Sequence, residues 1–109
     1  QVFHPALPEA QGHAIWQRDF TGAAGLFAFE VDPCSEPQLA NMLDHMSLFG
    51  MGYSWGGFES LIVPAEITRT ATQFDDSRQL LRLNIGLEHV DDLKEDLYQG
   101  FIRAGYVKA

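Results

Sequence analysis

The apolar positions of this chain follow two periods. Over Leu26–Val31 they alternate, with Phe27, Phe29 and Val31 on one side and Leu26, Ala28 and Glu30 on the other. That period of two predicts a strand, closed by Asp32-Pro33. Residues 79–87 alternate in the same way, with Leu81, Leu83, Ile85 and Leu87 on the face expected to meet helices and Arg82 and Asn84 on the other. Gln1–His4 and Phe58–Val63 read as shorter strands, stopped by Pro5 and Pro8 and by Pro64. Helical spacing governs Leu39, Met42, Leu43 and Met46, with Ser35 placed to cap and Pro37 in the first turn. It governs 90–104 as well, where Val90, Leu93, Leu97 and Phe101 share a face. Asp91 and Asp92 sit at the positive end of that helix, Arg103 near its negative end, and Gly105 is its stop. A weaker helix spans Glu9–Arg18 and carries Gly12. Thr21–Gly25 is a turn, Phe49–Gly57 a glycine-rich loop, and Ala65–Asp76 has no clear period. About four strands, mostly antiparallel, with about three helices on one face make an α+β two-layer domain spanning 1–109.

Composition narrows what such a domain does. The chain has 109 residues, eight Phe and two Trp among them, enough to bury a core. A net charge of −8 opposes nucleic-acid binding and attraction to an anionic membrane surface. No apolar run is long enough to span a bilayer. Cys34 has no cysteine partner, which fits a reducing cytoplasm. The first residue is not Met and the chain enters directly into a strand, as expected of a piece of something longer.

Chemistry-bearing residues are few. Arg82, alone in an apolar strand, needs water or an anion, and its planar fork suits a carboxylate. A surface ion pair with one of the fifteen acidic residues would satisfy it equally. Gly50, Gly52, Gly56 and Gly57 allow close backbone approach and could form an anion-binding nest, though such loops commonly serve as turns. Trp55 is either a core anchor or a cavity wall. His4, His13, His45, His89 and Cys34 match no zinc spacing, so no metal is expected. Cys34 has no basic neighbour to activate it as a nucleophile. Asp75-Asp76 and the acidic cluster Glu88–Asp96 read as solvated faces.

Two motifs are more specific: Ser54-Trp55-Gly56-Gly57-Phe58-Glu59-Ser60-Leu61, and Leu81-Arg82-Leu83-Asn84-Ile85-Gly86-Leu87-Glu88-His89-Val90-Asp91-Asp92-Leu93. Together with His4-Pro5-Ala6-Leu7-Pro8, Trp16–Gly22 and Gly25-Leu26-Phe27, they resemble the C-terminal part of the Cys/Met-metabolism family of pyridoxal-phosphate enzymes. Trp55 resembles the cystathionine β-lyase branch; the γ-synthase and γ-lyase branches usually carry Leu there. Val63-Pro64-Ala65-Glu66-Ile67-Thr68-Arg69 departs from the γ-type pattern in the same direction.

The resemblance implies the small C-terminal domain of a fold-type I enzyme that cleaves the C–S bond of cystathionine. Arg82 would hold the substrate α-carboxylate, with Tyr53, Ser54 and Trp55 lining the cavity. It implies pyridoxal phosphate in the parent, held through a lysine of the N-terminal domain, and a homotetramer. Lys94 and Lys108, the chain's two lysines, lack the context of that lysine. The chain alone is therefore expected to be inactive, to bind no cofactor covalently and to self-associate through apolar surface. A γ-type member of the family, or a free-standing α+β interaction module, is the alternative.

Overall fold

The computed structural model describes residues 1–109. Four strands, β1 (Val2–Phe3), β2 (Leu26–Val31), β3 (Leu61–Pro64) and β4 (Gln79–Asn84), form one sheet in the order β1-β2-β4-β3, and every pair is antiparallel. Three helices, α1 (His13–Asp19), α2 (Glu36–Leu43) and α3 (Val90–Arg103), complete the fold. The alternation of Leu26–Val31 delivers the strand at the residues expected, and Phe27, Phe29 and Val31 all reach the core. β4 lies inside the sheet, paired along its whole length with β2 and over Leu81–Asn84 with β3. Arg82 is therefore on an inner strand of the sheet, not at its edge.

The core lies between the sheet and α2 and α3. Ile62, Leu81, Leu83 and Phe29 from the strands meet Met42, Leu43 and Leu93 from the helices, and Phe101 sets its ring edge-on to Phe29 at 5.8 Å. Helix α2 starts in a capping box. The Ser35 hydroxyl accepts from the Gln38 N–H, and the Gln38 side chain accepts from the Ser35 N–H. The two helices cross so closely at Gly100 that a side-chain carbon there would come within 3.3 Å of Met42 and Met46. Arg103 then seals the crossing, donating to the carbonyls of Asn41 and Met42 that α2 leaves unpaired at its end. Helix α3 stops at Gly105, in the left-handed region at φ +82°. Helix α1 contributes no buried residue.

The departures from the periodic reading have local causes. Strand β4 ends at Asn84, where the chain turns under the glycine-rich loop, so Leu87 is 85% exposed instead of facing the helices. Val90, in the first turn of α3, also faces solvent. Strand β3 starts at Leu61, because Phe58, Glu59 and Ser60 are drawn into contacts with the turn after β4. The acidic cluster Glu88–Asp96 is not a solvated face throughout. Asp96 is buried and accepts from the N–H groups of Ser47, Leu48 and Phe49, at 2.8, 2.7 and 3.0 Å. The charge is thus spent on fixing the chain as it leaves α2.

Candidate functional site

Antiparallel register decides what surrounds Arg82. Directly opposed residues share a sheet face, so Arg82 stands between Ala28 of β2 and Val63 of β3, on the face away from the helices. Asn84 follows on the same face, opposite Leu26 and Leu61. The glycine-rich loop folds over this face. Gly50 bridges to Leu61, and Gly52 packs its backbone against the Leu61 side chain.

Arg82 is half-buried as a residue, and its exposed guanidinium donates from Nη2 to the Tyr53 carbonyl oxygen at 2.6 Å. Its central carbon lies 6.0 Å from the centre of the Tyr53 ring, within range of a cation–π attraction. None of the chain's four ion pairs involves it. Arg82 and Tyr53 line one side of an open hollow of about 720 Å³, with Val63, Pro64 and Glu66. Ser54 and Trp55 line a smaller hollow of about 250 Å³ next to it, floored by Asn84 and Leu61. Arg82 and Tyr53 are thus brought into contact, while Ser54 and Trp55 adjoin them through the backbone of the turn. Trp55 is 65% exposed and anchors no core. The N–H groups of Ser54 and Trp55 make no hydrogen bond within the chain.

A polar clamp below the turn escaped the sequence reading. Ser60, fully buried, donates to Glu88 Oε2 at 2.6 Å and accepts from the Gly86 N–H at 2.8 Å. The Ser60 N–H donates to the other carboxylate oxygen, and the Leu87 N–H to the Phe58 carbonyl. The Ser60 hydroxyl first, then backbone N–H groups, hold the Glu88 carboxyl below the ordinary glutamate range. A side-chain carbon at Gly86 would overlap the Phe58 carbonyl oxygen, so only glycine lets the two segments pass. The paired motifs Gly57–Leu61 and Asn84–Glu88 carried the signal, but only a fold brings them together.

The remaining candidates are elsewhere. The four histidines are dispersed: His4 accepts from the Ala6 N–H, His89 caps α3 by accepting from the Asp91 N–H, and no three His, Cys, Asp or Glu side chains converge. Cys34 is half-buried beside Tyr106, whose phenol donates to the Asp32 carbonyl; burial first, then Cys34, push that phenol well above its ordinary value. Lys94 is exposed on α3 and Lys108 is in the C-terminal tail, and neither lines the hollow at Arg82. The residues present therefore do not supply a lysine to hold pyridoxal phosphate beside Arg82. No helix is long and apolar enough to cross a membrane.

Fold and geometry together define a small α+β domain with an arginine, unpaired with any carboxylate, beside a glycine-rich turn, and comparison gives it a family. Residues 1–102 match the Cys/Met metabolism PLP-dependent enzymes, and the chain belongs to that family. It is 52% identical over 109 residues to cystathionine β-lyase MetC of Escherichia coli, and 51% to the cystathionine β-lyase of Salmonella typhimurium; each match covers 94% of this chain and 28% of the relative. Among solved structures, cystathionine γ-synthase from Xanthomonas oryzae superposes with a TM-score of 0.80 at 35% identity, over 98% of this chain and 30% of that one. The chain therefore spans under a third of the length of these relatives. Its fold is that of the corresponding part of fold-type I PLP enzymes.

Proposed function

We propose that this chain is the small C-terminal domain of a pyridoxal-phosphate-dependent cystathionine β-lyase, and that it supplies recognition of the substrate α-carboxylate. The observation that carries the reading is Arg82. Its guanidinium is fixed to the turn by Tyr53 yet has no carboxylate partner in a chain of net charge −8. An incoming carboxylate would complete it through a forked pair of charge-assisted hydrogen bonds. The free N–H groups of Ser54 and Trp55 lie within the same turn and suit the remaining carboxylate lone pairs. Tyr53, Ser54 and Trp55 form the wall through which substrate enters. Holding the carboxylate rigidly fixes the direction of the Cα–H bond, so Arg82 governs rate as well as affinity.

The reaction would cleave the C–S bond of cystathionine to give homocysteine, pyruvate and ammonia. The cofactor supplies the electron sink that such an elimination needs. Its lysine and phosphate-binding groups belong, on this reading, to an N-terminal domain within the part of the relatives' length that this chain does not span. The exposed Tyr53, Trp55, Phe58 and Leu87 would then face that domain, within a homotetrameric enzyme of the cytoplasm. The greater identity to β-lyases than to the γ-synthase structure favours β-elimination.

Arg82→Ala in the complete enzyme should reduce kcat/KM for cystathionine by about 10–100-fold, the worth of a charge-assisted pair. Arg82→Lys should recover little of this, because one ammonium cannot reproduce the fork. Steady-state kinetics at saturating cofactor reads both. A wild-type kcat/KM in Arg82→Ala refutes the assignment.

A further inference from the structure

Asn84 is the last residue of β4 and is only 4% exposed. A buried carboxamide must find partners for both of its ends. Here neither partner is on a neighbouring strand of the sheet. Asn84 Oδ1 accepts from the Gly56 N–H at 2.9 Å, and Nδ2 donates to the Glu59 carbonyl oxygen at 2.9 Å. Both bonds run upward into the glycine-rich turn, three residues apart, and hold it like a clasp. Gly56 adopts φ +80°, a conformation that L side chains rarely take, and it directs the N–H into the strand end. That N–H belongs to the peptide unit linking Trp55 to Gly56, so Asn84 fixes the plane in which the Trp55 carbonyl lies.

Arg82 stands two residues earlier on the same face of the same strand, and it holds the other end of the turn through the Tyr53 carbonyl. Successive same-face residues of a strand keep a fixed spacing of about 6.6 Å. The segment Tyr53–Gly56 is therefore pinned at both ends to one rigid ruler. Between the pins lie Ser54 and Trp55, whose N–H groups have no partner in the chain. The exposure of Trp55 shows that packing does not hold this segment in place. The two side-chain hydrogen bonds from β4 are its tethers.

We infer that Asn84 is a positioning residue: it sets the distance and angle between the Ser54 and Trp55 amides and the Arg82 guanidinium, and so determines how an amino-acid α-carboxylate is received. This rests on the reading of Arg82 as the carboxylate ligand. Asn84 does not touch the substrate. It acts through the peptide units it orients, much as a supporting hydrogen bond orients a functional group beside it. Without the clasp, the turn would still be tied at Tyr53 but could swing about that point, and the amides would leave register with the guanidinium. A carboxylate then loses its preorganised donors and must order them on binding.

The test uses the complete cofactor-loaded enzyme, with Asn84→Ala, Arg82→Ala and the double variant, concentrations normalised to bound cofactor. Asn84→Ala is expected to raise KM for cystathionine about tenfold while kcat changes under about threefold. In the Arg82→Ala background the same change is expected to alter KM under about twofold, since both residues act on one carboxylate. Amide hydrogen exchange at Gly56, whose N–H the Asn84 side chain accepts, should accelerate about tenfold or more in Asn84→Ala, with β2 and β4 unchanged. A KM within about twofold of wild type in Asn84→Ala overturns the positioning role, whatever the exchange shows. So does an equal fold-change in both backgrounds, which is the signature of an independent structural effect. An unchanged KM in Arg82→Ala overturns the carboxylate assignment itself, and this inference with it. If Asn84→Ala does not fold, Asn84→Asp keeps the shape and the Gly56 bond while losing the donor to Glu59, and it is judged by the same KM and coupling criteria.

Discussion

Leu81 and Arg82 are adjacent in sequence and lie on opposite faces of one strand, and the two faces are built by different physics. Leu81 is fully buried against α2 and α3, among apolar side chains that interlock. The face of Arg82 also buries Leu61, Val63 and Leu80, but the turn above it is fixed by a few polar contacts: Tyr53 to Arg82, Gly56 and Glu59 to Asn84, Ser60 to Glu88. The helix face draws its stability from removal of apolar area from water, a non-directional force that tolerates small shifts. The loop face depends on hydrogen bonds of defined direction, which contribute little net stability but specify position. One sheet thus separates holding the fold from holding the turn beside Arg82.

That division is sharpest at Leu81. Leu81→Ala should lower the unfolding free energy of the chain by about 3–4 kcal/mol, the transfer term plus a cavity that a sheet packed on two helices cannot close. Urea denaturation reads the loss. A change under about 1 kcal/mol would mean that the helix face is loosely packed and that the contrast fails.

Asp96 complicates the division, because it is a polar group serving the helix side. Its carboxylate satisfies three backbone N–H groups that follow α2. Asp96→Ala leaves those donors buried without partners and should cost about 3 kcal/mol by the same measurement. An effect near that of an exposed acid, within about 0.5 kcal/mol, would return Asp96 to the solvated cluster that its neighbours in sequence suggest.

How far the sequence reveals each face follows from the same contrast. Apolar packing has a period, so Phe27–Phe29–Val31, Leu39–Met42–Leu43 and the 90–104 helix can be read directly from spacing. The cap at Ser35 and the stop at Gly105 are equally legible, because their chemistry is local. Polar clamps have no period. Asn84 to Gly56 and Ser60 to Glu88 join residues 28 apart, and nothing at either end announces the other. Leu87 misleads for the same reason: it continues the alternation of β4 in sequence, yet the strand has already been diverted by Asn84 and Gly86. For Arg82, the strand pattern alone leaves an anion site and a surface ion pair open, and it is the family resemblance that joins Arg82 to Tyr53–Trp55 as an expectation.

Gly86 tests the loop face directly. In Gly86→Ala the added carbon meets the Phe58 carbonyl and Glu59 backbone, atoms that cannot rotate away. The strain should lower stability by about 2 kcal/mol, within the range of overpacking. The more telling readout is position: amide exchange should rise at Gly56, Ser60 and Leu87, whose N–H groups are bonded across the turn, while β2 and β4 keep their protection. Uniform loosening of the whole sheet would show that the turn and the core are one cooperative unit, and the separation of the two faces would be lost.

The smallest expected effect is a pH dependence confined to the clamp. Glu88 titrates below the ordinary glutamate value of 4.5, chiefly because the Ser60 hydroxyl bonds its charged form. A carboxyl depressed by folding contributes stability that is present above its unfolded value and is lost as pH falls through the folded value. Glu88 therefore contributes across neutral pH, and its share fades only below pH 4.5. Glu88→Gln keeps the shape and removes the titration. The urea midpoint of the wild type should exceed that of Glu88→Gln at neutral pH, and the gap should close as the pH is taken below the glutamate range. A gap that persists at low pH would show that shape, not charge, ties Ser60 to the turn. The loop face would then owe its order to the fit at Gly86, and the polar account of how it holds the site would have to be replaced by a steric one.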